Sequence, residues 1–358
     1  MALHTRTSLL GRHTLRGFSL IELMVAMALS LVLLGGVLAI FASSRKTFET
    51  NDRLSRIQEN GRFALDSIVR DIRAAGYIGC SQLAPFMSTL NNKTALLWNF
   101  EVPMTGFDGQ GGGAWSPALE AAELVNPDSD SDAIALRIPK NDSTGTRVVK
   151  DMSSTDEDVE VDAATAASIE VNDIVMISDC AARTVFEVTA KAGGVLSHVD
   201  SEEIVVDEGE EEEASVTPGN DSGDLAQAYT ANAEVVPLRT VVYYVGTANN
   251  PDAGLSLWRR VSGTGAAEEL IEGIESMQLL FGERIGNSVT YDLRADEVGN
   301  WNNVVAVSVA LLVRSLSEYG TDVDDTDYDV LDETISAPAD RHMRQVFTTT
   351  ATLRNQTL

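Results

Sequence analysis

An α+β fold follows from three features of the sequence: a twenty-residue apolar run near the N-terminus, a helical apolar stripe after it, and alternating hydrophobic segments in the rest of the chain. The expectation is one long helix, its first half suited to a membrane and its second half packed on an antiparallel β-sheet domain with long acidic loops. A chain of 358 residues has room for that domain as one large unit or two ordinary ones.

The apolar run spans residues 23–42 without a charge. At ~1.5 Å per residue it makes a helix of about 30 Å, the thickness of a bilayer's hydrocarbon core. A single transmembrane helix is the direct reading. A cleaved secretory signal, with residues 42–44 as a weak cleavage site, and a buried core helix are the alternatives. Arg6, Arg12 and Arg16 precede the run and favour a cytoplasmic N-terminus, although Arg45 and Lys46 follow it closely. Glu22 sits just before the run, inside an apolar stretch, where an uncompensated charge costs several kcal/mol of insertion free energy and so marks function. A glutamate that merely snorkels to the interface is the alternative.

The helix continues beyond the membrane. Leu54, Ile57, Gly61, Leu65, Ile68, Ile72 and Ala75 recur every three or four residues as an apolar stripe, with Arg62, Asp66 and Arg70 spaced for i,i+4 charge pairs elsewhere on the surface. Gly76 is a stop signal, and Gly35-Gly36 is a point of local weakening or simply a pair of tolerated membrane glycines. Past Gly76 the period becomes two. Val305, Val307, Val309, Leu311 and Val313 share one strand face, as do Met277, Leu279 and Phe281, and Phe347, Thr349, Ala351 and Leu353. Further strands are expected at 132–138, 169–178, 183–189, 239–245 and 255–261, with loops at 106–113 and 208–224.

Charge bounds the function. With 26 Lys+Arg against 54 Asp+Glu the net charge is -28, and three base-free windows, 151–162, 200–224 and 318–333, supply -25 of it. The acidity therefore belongs to three segments. Direct nucleic-acid binding through a basic face is not expected. Two cysteines and four histidines leave almost no material for a Cys/His zinc site or a His-based triad. No nucleophile elbow, phosphate loop or zinc-protease motif occurs, so no enzymatic activity and no organic cofactor are expected.

The string Gly17-Phe18-Ser19-Leu20-Ile21-Glu22-Leu23-Met24-Val25-Ala26 resembles the class III signal of type IV pilins and pseudopilins. The resemblance implies a type IV pilin-like fold and removal of residues 1–17 by a membrane prepilin peptidase. It also implies cleavage between Gly17 and Phe18, N-methylation of the new Phe18 amine, and pairing of Glu22 with the Phe18 amine of a neighbouring subunit, which offsets burial of both charges. Residues 18–42 become the transmembrane or filament-core helix, 43–76 the amphipathic continuation, and 77–358 the periplasmic or extracellular globular domain. Residues 54–65, 70–80 and 344–350 are similar to the PilW family of type IV minor pilins. Residues 272–278, with Trp301 and the strand at 304–313, also resemble the bulky pseudopilin of type II secretion. The middle, about 85–235, resembles either only weakly.

Both cysteines, Cys80 and Cys180, follow the membrane segment and so lie in an oxidising compartment if the N-terminus is inside. A bridge between them closes a loop of about 100 residues, worth roughly 4–5 kcal/mol in the chain-entropy model. Two free buried thiols are the alternative. Asp322, Asp324, Asp327 and Glu333 have the oxygen-ligand spacing of an EF-hand-type calcium loop, but Asp327 stands where the turn glycine belongs, and a solvated acidic loop is the competing reading. The resemblance implies a minor pilin with sister minor pilins, the major pilin, the inner-membrane assembly platform and a large tip adhesin as partners, serving twitching motility, attachment or DNA uptake. A secretion pseudopilin and a ligand-binding adhesion module at a pilus tip are the other readings.

Overall fold

The computed structural model describes residues 19–77, 79, 84–140, 145–202, 204–206, 215–263 and 266–354. The chain divides into two compact units, Met1–Arg53 and Leu54–Leu358. One helix, α1 (Leu20–Ala74, 55 residues), begins in the first and ends in the second. It runs unbroken through Gly35 and Gly36, because the Leu, Met and Ala around them are strong helix formers.

In the second unit α1 buries Ile57, Gly61, Ala64, Ile68, Val69, Asp71 and Ile72. The expected stripe is thus present, with Leu54 and Leu65 nearer its margins and Ala64 and Val69 inside it. Each fully buried isoleucine contributes about 1.5–3 kcal/mol relative to exposure. Gly61 lets the helix approach the sheet, since a Cβ there would lie 2.6 Å from Phe347 ring carbons. The helix stops at Gly76, which takes φ 72° and donates its N–H to Arg137 O at 3.2 Å. No ion pair joins Arg62, Asp66 and Arg70, although all three are described.

The principal strands are β1 (Met104–Gly111), β2 (Ala133–Pro139), β3 (Ile174–Ser178), β4 (Arg183–Glu187), β5 (Glu234–Thr247), β6 (Leu255–Val261), β7 (Ala267–Glu272), β8 (Ile274–Ile285), β9 (Ser288–Leu293), β10 (Val304–Arg314), β11 (Asp327–Val330), β12 (Glu333–Ser336) and β13 (Arg344–Thr352). A ten-stranded sheet is built on the long β5, which pairs antiparallel with β2, β3 and β6, while β4, β1 and β7 extend it. Among the described residues its one parallel contact joins Phe86–Ser88 to β4. A four-stranded antiparallel sheet has the order β9-β8-β10-β13. The helix stripe, Tyr243 and Val245 of the first sheet, and Met277, Leu279, Val307, Val309 and Leu311 of the second share one core. Period-two alternation places those residues on the helix side, and this mostly antiparallel arrangement is the α+β fold expected.

Two loop expectations change. The glycine-rich stretch 106–113 mostly belongs to β1, because Gly106 lies beneath Phe281 and Trp301, where a Cβ would be 2.7 Å from Phe281 Cε2, and Gly109 fits under the Ser129 and Ser131 carbonyls. Of the 208–224 stretch, residues 208–214 lie outside the described residues. Ser215–Thr217 pairs with Ile204–Val206 as a short antiparallel ladder.

Candidate assembly site

In the first unit, Ser19 and Glu22 form a reciprocal cap: Glu22 N donates to Ser19 Oγ at 3.2 Å, and Ser19 N donates to Glu22 Oε2 at 3.5 Å. Glu22 is therefore the third residue of the helix. Its charge sits where the positive end of the helix dipole favours an anion. Behind it, every residue from 19 to 48 is exposed, including Leu20, Ile21, Met24, Val32, Leu33 and Phe41. This helix has the length and composition to cross a membrane. Beside Glu22 a furrow is lined by Ala26, Met27, Ser30 and Leu34. Small residues at 26 and 30 allow close approach of another helix. Gly17 and Phe18, the expected cleavage and methylation residues, lie outside the described residues.

In the second unit, two polar pins fix the helix and sheet geometry. Tyr243 of β5 donates its hydroxyl to Asp71 Oδ2 of α1 at 2.8 Å, with both residues buried. Burial pushes the Tyr243 hydroxyl upward, and the Asp71 carboxylate adds to the effect. Asp71 follows Ile68 by three residues, so helical spacing could have placed it on the buried face.

The second pin is Arg344, at the start of β13, whose side chain has no exposed surface. Its Nε and Nη2 reach the two oxygens of Glu275 at 2.6 and 2.9 Å. Its Nη1 and Nη2 reach those of Asp340 at 2.7 Å each, and Nη1 also donates to Asp324 Oδ2 at 3.1 Å. Two bidentate pairs and a third carboxylate saturate this fork of donors. Burial alone would lower the Arg344 guanidinium, but Asp340 and Glu275 outweigh it and hold the group above its usual range. The Arg344 hydrogen bonds hold the Asp340 carboxyl well below the usual carboxylate range.

This pin replaces the expected calcium loop. β11 and β12 form an antiparallel hairpin turning at Leu331 and Asp332, with Leu331 at φ 58°. Asp324 is taken by Arg344 and by the Tyr328 hydroxyl at 3.0 Å, while Asp327 accepts from the Ser336 hydroxyl at 2.6 Å. Glu333 opens β12 opposite Val330, and Asp322 lies exposed before the hairpin. The four do not converge. Among the described residues, no three His, Cys, Asp or Glu side chains form a metal-holding group. The hairpin sits on the outer side of the four-stranded sheet through Tyr328, Val330, Ile335, Leu312 and Val346. Alternating β residues outcompeted the ligand spacing seen in the sequence.

The other acidic windows are also partly engaged. Glu157 accepts from Lys150 at 2.8 Å, Asp221 from Lys93 at 2.9 Å, and Asp224 from Thr155 at 2.8 Å. Cys180 is exposed in the turn between β3 and β4, and among the described residues no cysteine is free. Cys80 lies outside the described residues. Its neighbour Gly79 lies so close to Ser178, two residues before Cys180, that a Cβ there would run into the serine side chain.

Residues 242–355 match the family described as Type IV Pilus-assembly protein W. Residues 13–38 match the Prokaryotic N-terminal methylation motif. No curated protein matches the chain. Among solved structures it aligns with a type IV-like pilin from Thermus thermophilus at 11% identity, covering 86% of this chain and 98% of that one, with a TM-score of 0.29, too loose a likeness to carry an argument.

Proposed function

We propose that the chain is a PilW-type minor pilin that joins or primes type IV pilus assembly, a reading supported by the matches of residues 242–355 to the type IV pilus-assembly family and of residues 13–38 to the methylation motif. The observation that carries this reading is the single helix α1, which starts within the methylation motif, presents an exposed apolar surface behind a capped Glu22, and ends in the core of the β-rich domain. The motif and the apolar helix point to membrane anchoring.

In this reading the chain enters the inner membrane with its N-terminus cytoplasmic and its globular domain periplasmic. Prepilin peptidase cuts between Gly17 and Phe18 and the Phe18 amine is methylated. Glu22 then meets the Phe18 amine of a neighbouring subunit, exchanging its local bond to Ser19 N for a charge-assisted one. Sister minor pilins, the major pilin, the assembly platform and a tip adhesin are the partners, and twitching and attachment are the processes served. The work is structural, without catalysis, and needs no cofactor. A Cys80–Cys180 disulfide ties the end of α1 to β3, a reading supported by the closeness of Gly79 to Ser178.

Glu22→Ala tests the assembly role. The variant should insert into the membrane at wild-type level and be lost from pili. Wild-type amounts of the variant in assembled pili would count against it.

A further inference from the structure

A guanidinium keeps its charge at neutral pH, so burying one calls for a counter-charge and a partner for each donor. Arg137 is only 5% exposed. It lies in β2 on the side of Ala133 and Ala135, because alternate residues of a strand share a face, and that side meets a second core containing Phe100, Met176 and Leu238. Its Nη1 donates to Thr105 Oγ1 at 2.8 Å and to Ala135 O at 3.4 Å, and its Nη2 donates to Leu96 O at 3.1 Å. These acceptors are all neutral. The Nε has no partner, and among the described residues no carboxylate pairs with the group. Burial lowers the Arg137 guanidinium to about 9, with no anion opposing the effect. Arg344, equally hidden but held by three carboxylates, is the contrast.

Arg137 borders a cavity of about 20 Å³ where the chain leaving α1 meets the ten-stranded sheet. Gly76 and Tyr77 line it from the end of the helix, and Arg183 lines it from β4. Arg183 Nε donates to Ala84 O at 3.2 Å, and its guanidinium lies 5.5 Å from the centre of the Phe86 ring. Among the described residues its terminal nitrogens make no hydrogen bond, and burial lowers this group as well. Glu101 is the one lining carboxylate; it is exposed, and among the described residues it forms no ion pair. Two cations thus face one small space. A cavity of this size admits one water-sized sphere and excludes a carboxylate or a phosphate. Water there would satisfy the Nε but add no charge, whereas a monatomic anion does both.

We propose that Arg137 and Arg183 hold a single chloride ion in this cavity. The ion accepts from Arg137 Nε in a charge-assisted hydrogen bond and offsets the repulsion between the two guanidinium groups. It also strengthens the junction at which Gly76 N already donates to Arg137 O, so chloride stabilises the attachment of α1 to the sheet.

Urea unfolding of the full-length chain in non-ionic detergent, with chloride exchanged for gluconate at fixed ionic strength, tests this. A single site that binds only the folded chain makes the folded-to-unfolded ratio rise about tenfold for each tenfold rise in chloride above the dissociation constant. Glu101→Gln should keep that dependence. Arg183→Gln should raise the chloride needed for half of the effect about tenfold, and Arg137→Met should abolish the effect. A second measurement needs no variant: crystals of the wild-type chain soaked in bromide should show one anomalous peak within hydrogen-bond reach of Arg137 Nε. Equal stability in chloride and gluconate, a chloride dependence that survives Arg137→Met, or water alone beside Arg137 in the bromide crystals would overturn the proposal. These readouts do not involve pili, so their failure is distinct from failure of the assembly role.

Discussion

Replacing Arg344 with methionine removes a charge and its donors while keeping much of the side-chain volume. The three carboxylates it leaves behind, on Glu275, Asp324 and Asp340, are only 16–19% exposed. Arg314 remains 3.6 Å from Glu275. Deleting one partner of a buried ion pair costs about 3–5 kcal/mol, because the other charge is stranded. Acid should shrink the deficit. Asp340 is held below its ordinary value of 3.8 by Arg344, so its contribution is present above that value and fades as pH falls through the lower folded value. Asp324 behaves alike, burial raising it but hydrogen bonds from Thr326 and Arg344 lowering it further. The variant lacks this depression, and its stranded carboxylates become protonated as pH drops. The assay is urea unfolding of the detergent-solubilised full chain, followed by the fluorescence of its four tryptophans. With a urea slope of about 3 kcal/mol/M, the pH 7 midpoint should fall by roughly 1–1.7 M, and the difference should narrow below roughly pH 4. A loss under about 1 kcal/mol at pH 7, or one of equal size in acid, would refute the ion-pair account.

Native exported protein should show no reactive thiol, and Cys180→Ser should cost up to about 4–5 kcal/mol in the chain-entropy model; two reactive thiols in the native chain would contradict the bridge. Gly61→Leu should destabilise the second unit by about 1–3 kcal/mol by pushing into Phe347, and Phe347→Ala in the same chain should recover part of that loss. Asp71→Ala and Tyr243→Phe should each cost about 1–3 kcal/mol and be non-additive in a double-mutant cycle, whereas strictly additive losses would mean that the 2.8 Å bond contributes nothing. Ser19→Ala removes the reciprocal cap at about 1 kcal/mol and should speed amide exchange in the first turn of α1; unchanged exchange rates would rule the cap out.

Periodicity carried most of the fold. Helical spacing from Ile57 to Ala75 marked the buried face of α1, and alternation marked β8, β10 and β13, because each of these elements has one apolar side facing one core. The glycines of the stretch 106–113 resemble turn residues in sequence; what places Gly106 in a strand is its packing beneath Phe281 and Trp301, far away in the chain. Glu22 stood out because a charge in an apolar run has few explanations. Arg344 did not, although it belongs to a family-like stretch, because the long-range folding that gathers Glu275, Asp324 and Asp340 around it leaves no local pattern. The same pairing turned an apparent calcium spacing into a hairpin. The acidity retains its segmental character, with part of it satisfied by Lys93, Lys150, Arg341 and Arg344.

Mass spectrometry of pili sheared from cells producing the chain at its native level tests the assembly role most directly. The account predicts peptides of the globular domain in the pilus fraction, and an N-terminal peptide that begins at N-methylated Phe18 and lacks residues 1–17. Pili that contain the sister pilins but none of this chain, or a chain that keeps its first 17 residues and an unmodified Phe18, would contradict it.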